Sequence, residues 1–270
     1  MAVILITGAS SGIGFQTAKD LAQQDHIVYG AARRLDKLEA LVPYGVKPLS
    51  LDITSEDSIS QAVATLIANE GRIDILINNA GYGSYGAVED VSIDEAKQQF
   101  EVNLFGMARL TQLVLPYMRA QHHGRIINTS SMGGRLVSYM GAWYHATKYA
   151  VEAFSDALRM ETKDFGIKVA IIEPGGIKTN WGFIAADHLE DSARHSAYQT
   201  QATKAATGMR QQYSSRMMSD PKIIAKAISK AVNQRRPRAR YLIGFGAKPL
   251  VLAKLILPTR VFDFIMMHVS

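Results

Sequence analysis

Tyr144 and Lys148 lie four residues apart at the end of a stretch, residues 131–148, that reads S-M-G-G-R-L-V-S-Y-M-G-A-W-Y-H-A-T-K. On a helix that spacing stacks the two side chains on one face. A free tyrosine, with a pKa of about 10, is a poor base near neutral pH. A lysine ammonium beside it favours the phenolate and lowers that value. The pair therefore reads as a proton-transfer device tuned toward the working pH. Ser131 lies upstream across a Gly-Gly loop that can fold its hydroxyl back toward the phenol. A hydroxyl there can hydrogen-bond the oxygen of a reacting alcohol or carbonyl.

Three further motifs lie in order along the chain: Thr7-Gly8-Ala9-Ser10-Ser11-Gly12-Ile13-Gly14, Asn78-Asn79-Ala80-Gly81, and Pro174-Gly175-Gly176-Ile177-Lys178-Thr179. With Ser131, Tyr144 and Lys148 they resemble the short-chain dehydrogenase/reductase family, in particular its oxidoreductases of the hydroxysteroid and retinol dehydrogenase-like type. The ordered motifs cover about residues 2–180.

The resemblance implies hydride transfer between NADP(H) and an alcohol/carbonyl pair. Tyr144 would exchange the proton with the substrate oxygen, Lys148 would lower the tyrosine pKa and grip the nicotinamide ribose, and Ser131 would orient the substrate. Asn103 would bend its helix and support a proton relay. It also implies that Asp52, followed by Ile53, meets the adenine. Asn79, Ala80 and Gly81 would lie close to the cofactor, and Pro174, Gly175, Ile177 and Thr179 would hold the nicotinamide amide. Ser130 competes with Ser131, but an extended chain points it to the other side, and family spacing favours Ser131. His145, His122 and His123 read as surface or packing residues.

These groups need elements to carry them. Residues 2–6 are a short apolar run, followed by glycines and an amphipathic stretch to Gln24: strand, turn, helix. Glycines permit a tight turn and a close approach to a pyrophosphate, and the helix N-terminus offers free N–H groups. Gly8, Ser10, Ser11, Gly12, Ile13 and Gly14 are accordingly assigned to the cofactor. A second strand over 27–31 ends where a dinucleotide fold meets the adenosine ribose. An acid there selects NAD, but this chain has Ala32, Arg33 and Arg34. Arginine pairs with a 2′-phosphate, so NADP(H) is expected rather than NAD(H). Further strands are expected over 46–51, 73–77, 125–129, 167–172 and 241–244. Thr54 with Asp57 resembles a capping pair. Ser92 with Glu95 opens a long helical pattern to about Gln121 in which Pro116 marks a kink. The Tyr144 helix runs to about Phe165 and stops at Gly166, and Asp220-Pro221 starts another. The strand–helix alternation gives an α/β fold, a doubly wound parallel sheet of about seven strands with helices on both faces, as a single domain over residues 1–270.

Two segments stand apart. Residues 180–217 are the least regular and read as a substrate lid. Residues 245–270 form an apolar tail whose candidate roles, in order of preference, are closing the pocket, packing on a partner subunit and resting on a membrane surface. Trp143, Trp181 and Phe183 are aromatic lid candidates and suggest an apolar ketone or secondary alcohol, steroid- or retinoid-like.

The chain has 270 residues, 47% of them hydrophobic, and no cysteine, which excludes disulfides, thiol nucleophiles and thiolate metal sites; no metal site is expected. No run approaches the roughly 20 apolar residues of a membrane span and no signal peptide is legible, so a cytoplasmic location is expected. The net charge of +6 is concentrated around Arg235, Arg236, Arg238 and Arg240. No nucleic-acid motif accompanies it, so it reads as a solvated turn and not a nucleic-acid site. An epimerase or dehydratase, and a non-catalytic dinucleotide sensor, are the rival functions. The complete Ser/Tyr/Lys set favours redox chemistry. Apolar positions on more than one face of the two long helices (Leu104, Phe105, Met107, Ala150, Phe154 and Leu158) call for a homodimer or tetramer.

Overall fold

The computed structural model describes residues 1–269, with side chains through Met267. In chain order the elements are β1 (Val3–Thr7), α1 (Gly12–Ala22), β2 (Ile27–Ala32), α2 (Leu35–Leu38), β3 (Lys47–Ser50), α3 (Glu56–Glu70), β4 (Ile75–Asn78), α4 (Ile93–Phe100), α5 (Gly106–Ala120), β5 (Gly124–Thr129), α6 (Ala142–Glu161) and β6 (Ile167–Pro174). After β6 come α7 (Trp181–Ser192), α8 (Gln199–Ser214), α9 (Pro221–Asn233), β7 (Arg240–Ile243), α10 (Ala247–Ile256) and α11 (Thr259–Val269). The seven strands form one parallel sheet in the order β3-β2-β1-β4-β5-β6-β7.

The apolar runs explain the layering. Every residue of β1 is buried, and alternate side chains of a strand face opposite ways. Ile4 and Ile6 enter a core with Leu21 of α1 and Ile228 of α9, whereas Val3 and Leu5 enter one with Leu66 of α3, Leu110 of α5 and Leu158 of α6. Burying such a side chain contributes about 1.5–3 kcal/mol, so both faces of the sheet must be covered, as the doubly wound pattern requires.

From β1 the chain winds outward through β2 to β3, then returns to place β4 on the other side of β1. A crevice opens at this reversal, beyond the carboxyl ends of β1 and β4. Thr7 closes its floor: its Oγ1 accepts from the backbone N–H groups of Asn79 and Ala80, each at 3.0 Å, and its carbonyl accepts from Asn79 Nδ2 at 3.1 Å. Asn78 serves the scaffold. Its Nδ2 donates to Thr111 Oγ1 on α5 and to Asn128 Oδ1 on β5, and Asn128 in turn donates to Ser155 on α6.

Several expectations need correction. Ser92 caps α4 by accepting from Glu95 N, but the long helix breaks into a π-turn over Glu101–Phe105, and α5 then runs on through Pro116. An irregularity thus falls at Asn103, where the resemblance implies a bend and where the side chain is held by other segments, while α5 stays helical across the proline. Ser55, not Thr54, caps α3 and accepts from Ser58 N; Thr54 instead donates through both N and Oγ1 to Asp52 Oδ1. Residues 180–217 are not irregular: α7 and α8 pack against each other there and bury Ala185, Ala186, Leu189, Ala202 and Ala206. Asp220 caps α9 and Pro221 starts it, as expected.

Candidate active site

The motif residues meet around one cavity of about 980 Å³ at the switch point. At its β1 end the chain turns through Gly8 (φ +69°) and Gly12 (φ +56°). A Cβ on Gly14 would lie 2.3 Å from the Gly8 carbonyl oxygen, so only glycine lets α1 sit this close to the turn. Ser11 precedes α1 with no side-chain cap, and the first turn carries no acid. The leading N–H groups of an 11-residue helix are therefore left to whatever occupies the crevice. Ser10, Arg33 and Arg34 line the same end, with Arg34 Nη2 donating to Ser10 Oγ at 3.3 Å. Asp52 lines it too: burial pushes its carboxyl up, but the two Thr54 hydrogen bonds and the Arg33 charge outweigh this and leave it lowered. A glycine cradle, an uncapped helix end and two arginines fit a dinucleotide with a further phosphate on its ribose.

At the other end, Ser131, Tyr144 and Lys148 converge. Ser131 Oγ accepts from Gly133 N at 3.0 Å and donates to the Pro174 carbonyl at 3.5 Å. Lys148 Nζ donates to the Thr129 carbonyl at 3.1 Å and lies 6.0 Å from the centre of the Tyr144 ring. Burial pushes the Tyr144 phenol up to about 12, against a lowering hydrogen bond from Ser131. The expected depression by Lys148 is therefore not seen in this state, because the tyrosine is packed in apolar surroundings. Burial also lowers Lys148, to about 8, while the Glu152 carboxylate one turn along raises it.

Behind the pair lies a buried charged cluster. Arg240 Nε sits 3.1 Å from Glu152 Oε2 and 3.2 Å from Glu173 Oε1, and its Nη2 sits 2.5 Å from Asp156 Oδ2. Arg135 reaches Glu173 Oε1 at 3.1 Å. Glu152 Oε1 and Glu173 Oε2 are buried without a hydrogen-bond partner. Burial raises Glu152 to about 7 despite Ser130 and Arg240. Ser130 points into this layer, donating to the Lys148 carbonyl at 3.4 Å, on the opposite side from Ser131.

Of the expected site residues, all but Gly14 and Asn103 line the cavity, including Ile53, Ala80, Gly81, Gly175, Ile177 and Thr179. Gly14 acts by being absent as a side chain. Asn103 lies in the π-turn with its amide engaged: Oδ1 accepts from Tyr82 N, and Nδ2 donates to the Tyr82 carbonyl and to Thr147 Oγ1. Among the aromatic lid candidates, Trp181 packs on Tyr144 with ring centres 5.0 Å apart. Phe183 does not line the cavity, and Trp143 points into a separate groove with Ile93, Phe100 and Phe105. The helical period places residue 143 about 100° from residue 144, which was sufficient to separate them.

His145, read from the sequence as a surface or packing residue, is a packing residue. It is 3% exposed. Its Nε2 accepts from Ser138 N at 2.9 Å, so Nδ1 carries the proton and donates to the Gly133 carbonyl, also at 2.9 Å. It thereby fastens the loop between Ser131 and α6. Tyr85, Tyr213 and Met266 also line the cavity, and no spacing rule connects them to it.

Known proteins resemble this arrangement. The family model described as short chain dehydrogenase matches residues 2–187. A 3-ketodihydrosphingosine reductase from Bacteroides thetaiotaomicron is 38% identical over 256 residues, covering 90% of this chain and 87% of that protein. A short-chain dehydrogenase structure from Streptomyces avermitilis aligns with a TM-score of 0.81 at 35% identity, covering 94% of this chain and 92% of the other. The closed form of a serine dehydrogenase complexed with NADP+ aligns with a TM-score of 0.77 at 25% identity, covering 90% and 94%. With the fold, the glycine cradle and the Ser131, Tyr144 and Lys148 cluster in place, the chain belongs to the short-chain dehydrogenase/reductase family of oxidoreductases.

Proposed function

We propose that the protein is an NADP(H)-dependent oxidoreductase that interconverts an apolar ketone and its secondary alcohol. The observation that carries this is the convergence of Ser131, Tyr144 and Lys148 on one wall of the cavity whose far end is the glycine cradle flanked by Arg33 and Arg34. The NADP+ bound to the serine dehydrogenase supports the choice of cofactor, and the 3-ketodihydrosphingosine reductase supports an apolar ketone. When bound, the nicotinamide supplies or accepts the hydride.

The chain's own residues do the rest. The Tyr144 phenol, raised further by burial, is protonated at neutral pH and can donate its proton to a carbonyl oxygen. The Lys148 ammonium, anchored on Thr129, stabilises the negative charge left on the phenol oxygen. Ser131, fixed by Gly133 N, orients the substrate oxygen. Asn103 ties the turn at Tyr82 to Thr147 on the catalytic helix. Trp181 and Tyr213, from α7 and α8, exclude water and give the substrate apolar contact. The groove at Trp143, with Phe105 and Ile93 more than half exposed beside it, is the face on which two copies pair as a homodimer.

Fluorescence titration with NADPH and NADH, followed by cofactor oxidation with a panel of ketones graded in apolar size, tests this reading. It expects tighter NADPH binding and turnover that rises with apolar size. Preference for NADH, or no turnover on any carbonyl, would contradict it.

A further inference from the structure

We propose that the hairpin of α10 and α11 docks on an anionic lipid surface. Its inner face is spent on the protein: Val251, Phe262 and Met266 pack with Leu136, and both Leu136 and Met266 also line the cavity. Its outer face is apolar and open to solvent. Leu252 is 57% exposed, Leu255 70%, Ile256 68% and Val261 46%. Residues 252, 255 and 256 share one side of α10, and Val261 follows just past the Pro258 turn, so these side chains flank a single bend. A soluble surface rarely leaves such a group of large apolar side chains uncovered.

Charge selects the occupant. Residues 247–267 carry Lys248, Lys254 and Arg260 against one acid, Asp263. Among the described residues none of these three cations is in a salt bridge. Lys254 instead rests over the Phe262 ring at 5.0 Å. Apolar side chains next to the exposed cations Lys248 and Arg260 fit the headgroup region of an anionic leaflet. A second copy fits poorly, because a two-fold contact sets the same surface against itself and would oppose three cations to three with two acids between them. Among the described residues no helix is long and apolar enough to cross a membrane, so the hairpin lies on the surface. Since its inner face walls the cavity, docking would bring that wall to the lipid. Delivery of an apolar substrate from the leaflet is a corollary that rests on the proposed reductase reading, whereas the docking does not.

Co-sedimentation of the full chain with vesicles of phosphatidylcholine, with or without phosphatidylserine, tests the proposal. The protein should sediment with the phosphatidylserine vesicles and be released by salt. Leu255→Glu/Ile256→Glu should weaken binding at least about tenfold, and Lys248→Gln/Arg260→Gln should weaken it about 30-fold on anionic vesicles alone. Thermal melting checks the fold of each variant, and Leu252→Gln offers a milder change on the same face. No sedimentation with either vesicle, or unaltered binding in either double variant, would overturn the proposal. So would a Leu255→Glu/Ile256→Glu variant that changes the oligomeric state by light scattering, which would assign the face to a second copy. NADPH titration on the same samples separates this outcome from failure of the functional reading.

Discussion

Glu152→Gln should stabilise the protein at neutral pH although it deletes one partner of an ion pair. Glu152 is buried beside Glu173, shares the Arg240 guanidinium with it, and keeps one oxygen without a partner. Burial raises its pKa from the ordinary 4.5 to about 7. Below pH 4.5 the carboxyl is protonated folded and unfolded, and its contribution to stability is complete. As pH rises through the window to about 7, the unfolded chain releases the proton while the folded chain retains it, and stability is lost. A shift of this size is worth at most about 3 kcal/mol. Glutamine is uncharged throughout and can still accept from Arg240, so it mimics the protonated acid. Wild type and variant should therefore match near pH 4.5 and diverge toward pH 7, where the variant melts roughly 6–12 °C higher. Calorimetry at closely spaced pH values measures the divergence. A variant less stable than wild type at pH 7, or a difference constant across the window, would refute the account of a Glu152 carboxyl that burial holds protonated.

Arg33→Asp should reverse the NADPH preference by removing a 2′-phosphate partner and offering an acid to the ribose, read by titration with both cofactors; unchanged preference would move the role to Arg34. Ser131→Ala should lower turnover while cofactor binding holds, with a milder loss in Ser130→Ala, because the Ser131 hydroxyl meets the Tyr144 phenol whereas the Ser130 hydroxyl turns to the Lys148 carbonyl. For carbonyl reduction, kcat/KM should fall as pH rises through about 8, where Lys148 loses its charge. Glu152→Gln, which withdraws a carboxylate that supports that charge, should move this limb to lower pH. Light scattering at micromolar concentration should show a dimer or larger, and Phe105→Glu should give a monomer.

What the sequence made legible follows from local physics. The inner strands β1, β2, β4, β5 and β6 are largely apolar runs buried on both faces, and Gly8, Gly12 and Gly14 announce a turn that other residues cannot make. The four-residue spacing of Tyr144 and Lys148 needs no tertiary knowledge. Other features depended on distant contacts. The π-turn at Asn103 is held by its amide's bonds to Tyr82 and Thr147, so a bend there was legible only through the family resemblance and not from local pattern. The helices α7 and α8 bury mostly alanine and show no strong apolar period, so residues 180–217 looked irregular. His145 was legible as a surface or packing residue, but its partners Gly133 and Ser138, in the loop that precedes α6, were not. The adjacency of Lys148 to Tyr144 is visible in sequence, whereas the burial under Trp181 that raises the phenol is not.

The proton donor is the central claim, and Tyr144→Phe tests it most directly, with Lys148→Met measured alongside. The phenylalanine variant loses one hydroxyl from a packed ring, so the fold and NADPH binding should survive while kcat for carbonyl reduction falls by about 10²–10⁴. Lys148→Met should impair both cofactor binding and turnover. Near-wild-type turnover by Tyr144→Phe on any ketone the protein reduces would contradict the assignment of Tyr144 as the proton donor.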